Sequence, residues 1–197
     1  GLINVMPQVF TMKKISKYDL AVSIEEHEFI SADGFNDMSL AGIKAIELSF
    51  NDYSSLDLKE AKALSEKYGI ALWSLHLPFM PFENIDISST DNEIRDYSIG
   101  LLCDIISRSA DIGINRFIVH ASGEPILPPV RAERLKYSKE SLYKISEFAK
   151  KYNALVAVEN LPRTCLGNNS YEINELASVN DNLSVCFDTN HLFCESA

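Results

Sequence analysis

Hydrophobic positions along the chain fall into two alternating textures. Short β-branched or aromatic runs recur at 19–26 (DLAVSIEE), 44–50 (KAIELSF), 70–78 (IALWSLHLP), 116–123 (RFIVHASG), 154–162 (ALVAVENLP) and 183–192 (LSVCFDTNHL). Each has the length and composition of a buried strand. Between them lie helical stretches at 57–69, 92–113 and 132–153, with shorter ones at 33–42 and 170–181. Gly69 and Gly113 stand where helices end in a left-handed cap. The order βαβαβαβαβαβ, with one crossover helix per step, predicts parallel strands joined right-handedly. Residues 1–11 precede Met12 and read as an upstream segment, leaving 12–197 as one partial barrel domain.

Side chains alternate faces along a strand. One face therefore collects Ile46/Leu48, Trp73/Leu75, Phe117/Val119, Val156/Val158 and Val185/Phe187, large apolar residues suited to lie under helices. The other collects Ala45/Glu47, Ser74/His76, Ile118/His120, Ala157/Glu159 and Cys186/Asp188, where small residues are followed by a titratable group near each C-terminal strand end. Such a polar face suits the inside of a (β/α)8 TIM barrel, whose catalytic groups project from those ends. An open doubly wound sheet would be apolar on both faces, and neither G-x-G-x-x-G nor G-x-x-x-x-G-K-[ST] occurs. Trp73, Tyr143 and Phe148 read as core packing, and EPILPPVR (124–131) as a stiff loop over the barrel mouth.

Charge narrows the partners. Eighteen Lys+Arg against 28 Asp+Glu give a net charge of −10 over 197 residues, a field that repels phosphate backbones and disfavours nucleic acid. No apolar run approaches the roughly 20 residues of a membrane span. Four cysteines (Cys103, Cys165, Cys186, Cys194) without a C-x-x-C pair read as reduced thiols, so a cytoplasmic, soluble protein is expected.

The candidate chemistry sits in the ring of strand ends. Taken singly, His76, His120 and His191 each read as hydrogen-bonded packing residues; the five strand-end groups Glu47, His76, His120, Glu159 and Asp188, converging, do not. Gathering Glu47, Glu159 and Asp188 around one mouth costs several kcal/mol per unpaired charge, so cations must offset them. A divalent metal, Mn²⁺, Mg²⁺, Co²⁺ or Zn²⁺, held by Glu159 and Asp188 does so directly. The competing structural roles are an ion pair of Glu159 with Arg163, and turn capping by Asp188. Arg163 and Asn168/Asn169, in the loop after the fifth strand, read either as a clamp on a substrate oxygen or phosphate or as an exposed Arg in a Gly/Asn turn.

These segments carry a family likeness. IELSF (46–50), SLHLPF (74–79), FIVHAS (117–122), VENLPRTCLGN (158–168) and VCFDTNH (185–191) resemble the xylose isomerase-like (β/α)8 superfamily, which holds sugar phosphate isomerases/epimerases, such as D-tagatose 3-epimerase, and the endonuclease IV apurinic-site nucleases. The resemblance implies that Glu159 is a metal ligand and one of two acid/base carboxylates. It implies that Asp188 is a second ligand, that His191 contacts substrate, and that Glu47, His76 and His120 line the cavity. In the nucleases His76, His120, Glu159, Asp188 and His191 would instead ligate a metal cluster. The family pattern continues with a histidine on strand seven and a glutamate on strand eight; the chain ends nine residues after Asp188, which reads as a fragment with six of eight βα units. Such a piece is expected to be inactive alone, and its open edges admit a homo-oligomer.

The expected function of the parent is that of a metal-dependent sugar or sugar-phosphate isomerase/epimerase acting on a small sugar through an enediolate. The alternatives are an endonuclease IV-like nuclease, which should show Lys/Arg at the mouth where only Arg131, Arg134 and Arg163 stand, and a non-catalytic barrel serving as a binding module.

Overall fold

The computed structural model describes residues 20–54 and 56–193; the upstream segment 1–11 and Cys194 lie outside them. Six strands, β1 (Leu20–Ile24), β2 (Ile43–Ser49), β3 (Ala71–His76), β4 (Arg116–Val119), β5 (Leu155–Glu159) and β6 (Leu183–Cys186), pair in chain order, every neighbour parallel. The crossovers run through α1 (Ala32–Leu40), α2 (Leu58–Tyr68), α3 (Asn92–Ala110), α4 (Pro128–Lys150) and α5 (Ser170–Ala177). The result is a partial (β/α)8 barrel, with β1 and β6 as its edges among the described residues.

Side chains that satisfy the first free N–H groups set the helix starts. Asp57 accepts from the N–H groups of Lys59 and Glu60 at 2.9 and 3.0 Å, and Asp91 from that of Glu93 at 2.8 Å. Asn169 does the same for α5, accepting from Tyr171 and Glu172. Gly69, at φ 65°, ends α2 as expected. Helix α4 begins inside the run expected to be a loop: Pro128 and Pro129 occupy its first two positions, where no N–H is needed.

The apolar face packs under the helices as the alternation predicts, with Ile46, Leu48, Leu75, Phe117, Val119, Val156 and Val158 all buried. Three expectations fail, each for a local reason. In β3, Ile46 pairs with Leu72 but Glu47 with Ser74, so Trp73 is an extra residue that breaks the alternation. Leu72 takes the place against the core; Trp73 turns into the barrel interior, 52% exposed, with the Arg116 guanidinium 3.9 Å from its ring centroid. Val185 and Phe187 are exposed because no described element covers the outer face of β6 on its far side, and Tyr143 lies on the solvent side of α4. Phe148 does pack against the core. No described helix is long and apolar enough to cross a membrane.

Candidate active site

Parallel strands end together, so β3, β4, β5 and β6 deliver His76, His120, Glu159 and Asp188 to one rim. Glu159, only 7% exposed, is the hub. Its Oε2 lies 3.1 Å from His76 Nε2 and 2.9 Å from His120 Nε2. The other His76 nitrogen, Nδ1, donates to the Leu77 carbonyl at 2.9 Å; a carbonyl only accepts, so that nitrogen holds a proton and Nε2 is the one offered to the site. Phe79 stacks on His120 at 4.0 Å, closing the apolar side.

The electrostatics follow from this sharing. Burial alone would raise the Glu159 carboxyl, but the hydrogen bonds and charges of His120 and His76 outweigh it and hold the group down at about 2. Burial likewise disfavours protonated His76, yet the hydrogen bond and charge of Glu159 carry that ring above its usual value. For His120 burial prevails, helped by the neighbouring His76 charge, and the ring is driven down. Glu159 thus favours the protonated form of His76, while burial favours the neutral form of His120 on the same carboxylate oxygen.

Glu159 faces a second group through Oε1, which lies 3.9 Å from His191 Nδ1. His191 Nε2 stands 3.6 Å from Asp188 Oδ2. Asp188 also caps the following turn, as one sequence reading held, but only with Oδ1, which accepts from the Asn190 N–H at 2.7 Å. His76/His120/Glu159 and Glu159/Asp188/His191 each bring three ligand atoms within 4.8 Å of one another. Carboxylate oxygens and imidazole nitrogens, two of the rings aimed by backbone carbonyls, are a donor set that fits a divalent cation.

The remaining candidates are placed differently. Glu47 sits one layer lower, its carboxylate accepting from Ser74 Oγ at 2.6 Å; Ser49, not Glu47, pairs across to His76. Arg163 pairs with Glu124 of the β4–α4 loop. Arg131 is bound to Glu172, Arg134 to Asp86 and Ser88, and Asn168 accepts from Arg131. Two positions escaped the sequence reading. Tyr53 places its hydroxyl 2.9 Å from the Leu48 carbonyl and 2.8 Å from that of His76, tying β2 to β3 below the site. Asn160 binds the Asp188 backbone; its only sequence signal is its place directly after Glu159. Described Cys103, Cys165 and Cys186 are free thiols.

A family model described as xylose isomerase-like TIM barrel matches residues 35–197. A probable endonuclease 4 from Acholeplasma laidlawii is 28% identical over 145 residues, covering 70% of this chain and 47% of the relative. Among solved structures, a D-tagatose 3-epimerase-like protein superposes with a TM-score of 0.73 at 21% identity, covering 89% of this chain and 66% of that one. The 3-keto-D-glucoside 4-epimerase of E. coli gives a TM-score of 0.75 at 18% identity, covering 91% and 71%. At these identities the superpositions establish the fold. The chain spans about half the length of the curated relative and about two thirds of the epimerase-like structure.

Proposed function

The chain belongs to the xylose isomerase-like TIM barrel family, and from that premise we propose that the whole protein is a metal-dependent isomerase or epimerase of a sugar or sugar phosphate. The observation that carries the reading is the Glu159 carboxylate, held ionised at a buried rim with two imidazoles on one oxygen and the Asp188/His191 pair beside the other. Glu159 and Asp188 would hold the cation, with His191 adjoining. When bound, the cation supplies Lewis acidity that polarises a substrate carbonyl and favours loss of the adjacent proton. Glu159, ionised at neutral pH, takes that proton to give an enediolate. His191, His76 and His120 orient hydroxyls at the rim. Glu47 does so from the layer below.

A second reading, a metal-cluster nuclease, is favoured by one observation: His76, His120 and Glu159 form a donor group by themselves, and the curated relative is a probable endonuclease. Against it, Arg131, Arg134 and Arg163 each lie on a carboxylate, leaving these arginines engaged where a DNA phosphate would need them.

Calorimetric titration of the chain with Mn²⁺ and Co²⁺ tests the shared premise. Binding is expected in the wild type and lost in Glu159→Gln and Asp188→Asn. A wild type without affinity for either ion refutes the metal reading. Salt-sensitive binding of an abasic duplex, weakened by Arg163→Ala, would select the nuclease over the isomerase.

A further inference from the structure

We propose that Asn160 is a positioning residue that builds the Asp188/His191 half of the site, an inference that rests on the metal reading above. Strand β6 leaves the ladder at Cys186, two residues before Asp188. The Asn160 backbone N–H makes the last rung, to the Cys186 carbonyl at 3.2 Å. Its side chain then continues the ladder as a substitute peptide group: Oδ1 accepts from the Asp188 N–H at 2.7 Å, and Nδ2 donates to the Asp188 carbonyl at 3.0 Å. The Asn160 carbonyl accepts from His191 Nδ1 at 2.7 Å, which turns Nε2 toward Asp188 Oδ2.

One residue, adjacent in sequence to Glu159 and only 8% exposed, therefore holds the backbone of Asp188 and the ring of His191. No other residue type matches this pattern: the position needs a donor and an acceptor side by side, on a stem short enough to stay within the ladder. An aspartate lacks the donor, a leucine lacks both, and a glutamine is one methylene too long.

Asn182 supplies a matched control at the opposite end of β6. Its Nδ2 donates to the carbonyls of Ser146 and Ala154, at 3.2 and 2.7 Å, far from the rim. Asn160→Leu and Asn182→Leu should both lower the thermal midpoint. Only Asn160→Leu should weaken Co²⁺ binding, by about 10–100-fold, the usual effect of removing support behind a ligand. Equal Co²⁺ affinity in wild type and Asn160→Leu, or an equal loss in Asn182→Leu, overturns the positioning role. A wild type that binds no Co²⁺ removes the metal reading itself, a result distinct from either.

Discussion

Replacing Arg131 with methionine keeps most of the stem and deletes a guanidinium that locks the first turns of α4 to the β5–α5 loop. In the wild type Nε and Nη2 meet both oxygens of Glu172, at 3.0 and 2.6 Å, while Nη1 and Nη2 donate to the carbonyls of Thr164 and Cys165, each at 2.8 Å. The side chains are 26% and 11% exposed, so the pair is mostly but not fully desolvated. Breaking a buried pair costs roughly 3–5 kcal/mol. Water reaching the vacated space around Glu172 and the two carbonyls keeps the loss at the lower end of that range. The structure thus predicts a loss of about 3 kcal/mol. With a urea slope of about 2.5 kcal/mol per M, the midpoint should fall by about 1.2 M, read by far-UV circular dichroism. In a double-mutant cycle with Glu172→Gln the coupling should exceed about 1 kcal/mol. A midpoint shift below about 0.4 M would refute the reasoning. If that variant also lost affinity for DNA, the arginine would be a phosphate contact rather than a strut.

Removing the hub charge with Glu159→Gln should lower the His76 titration, because the hydrogen bond and charge that raise it most are lost while burial still opposes protonation; an unchanged midpoint in a proton NMR titration would contradict the assignment. The same contact sets a stability window. The depressed Glu159 contributes above its unfolded value of 4.5 and fails as pH falls through about 2, whereas the raised His76 contributes below 6.5 and is lost as pH climbs through its folded value. Urea midpoints of the metal-free chain should therefore be higher at pH 5.5 than at pH 2 or 8.5 through this pair, and Glu159→Gln should flatten the curve. Burial pushes the Cys165 thiol up to about 12, so iodoacetamide at pH 8 should label it in urea but scarcely in the native chain, as read by peptide mass spectrometry. Gly123→Ala would put a methyl 3.0 Å from Phe82 Cβ and 3.2 Å from Asp86 Oδ2, costing about 1–3 kcal/mol and lowering the thermal midpoint by several degrees.

The strand alternation was readable because its period is two and one face is polar, which places His76, His120, Glu159 and Asp188 on one rim without any tertiary information. Trp73 was not, since nothing in IALWSLHLP marks which residue the ladder skips; the register of β2 against β3 decides it. The start of α4 carried a signal, paired prolines ahead of a helical stretch, that fits a loop equally well until the helix is seen. Arg163 lies four residues from Glu159, but the carboxylate points into the barrel from a strand end while the loop carries the guanidinium out to Glu124. Tyr53 and Asn160 act on backbone groups 23 and 28 residues away in sequence, contacts that exist only once neighbouring strands are aligned.

The skipped residue in β3 gives the molecule an optical handle. Trp73 is the single tryptophan of the chain, and it sits toward the N-terminal end of the lumen with a guanidinium over its ring, while the donor cluster occupies the opposite rim. Its emission therefore reports solvent polarity on the floor of the barrel. Anything that packs into the cavity of about 540 Å³ lined by Trp73, Glu47 and Arg116, whether a further strand or a second copy docking along β1 and β6, must dry that indole and shift its spectrum to the blue. A cation seated among Glu159, Asp188 and His191 leaves the floor wet. One fluorescence trace separates closure of the wall from loading of the rim.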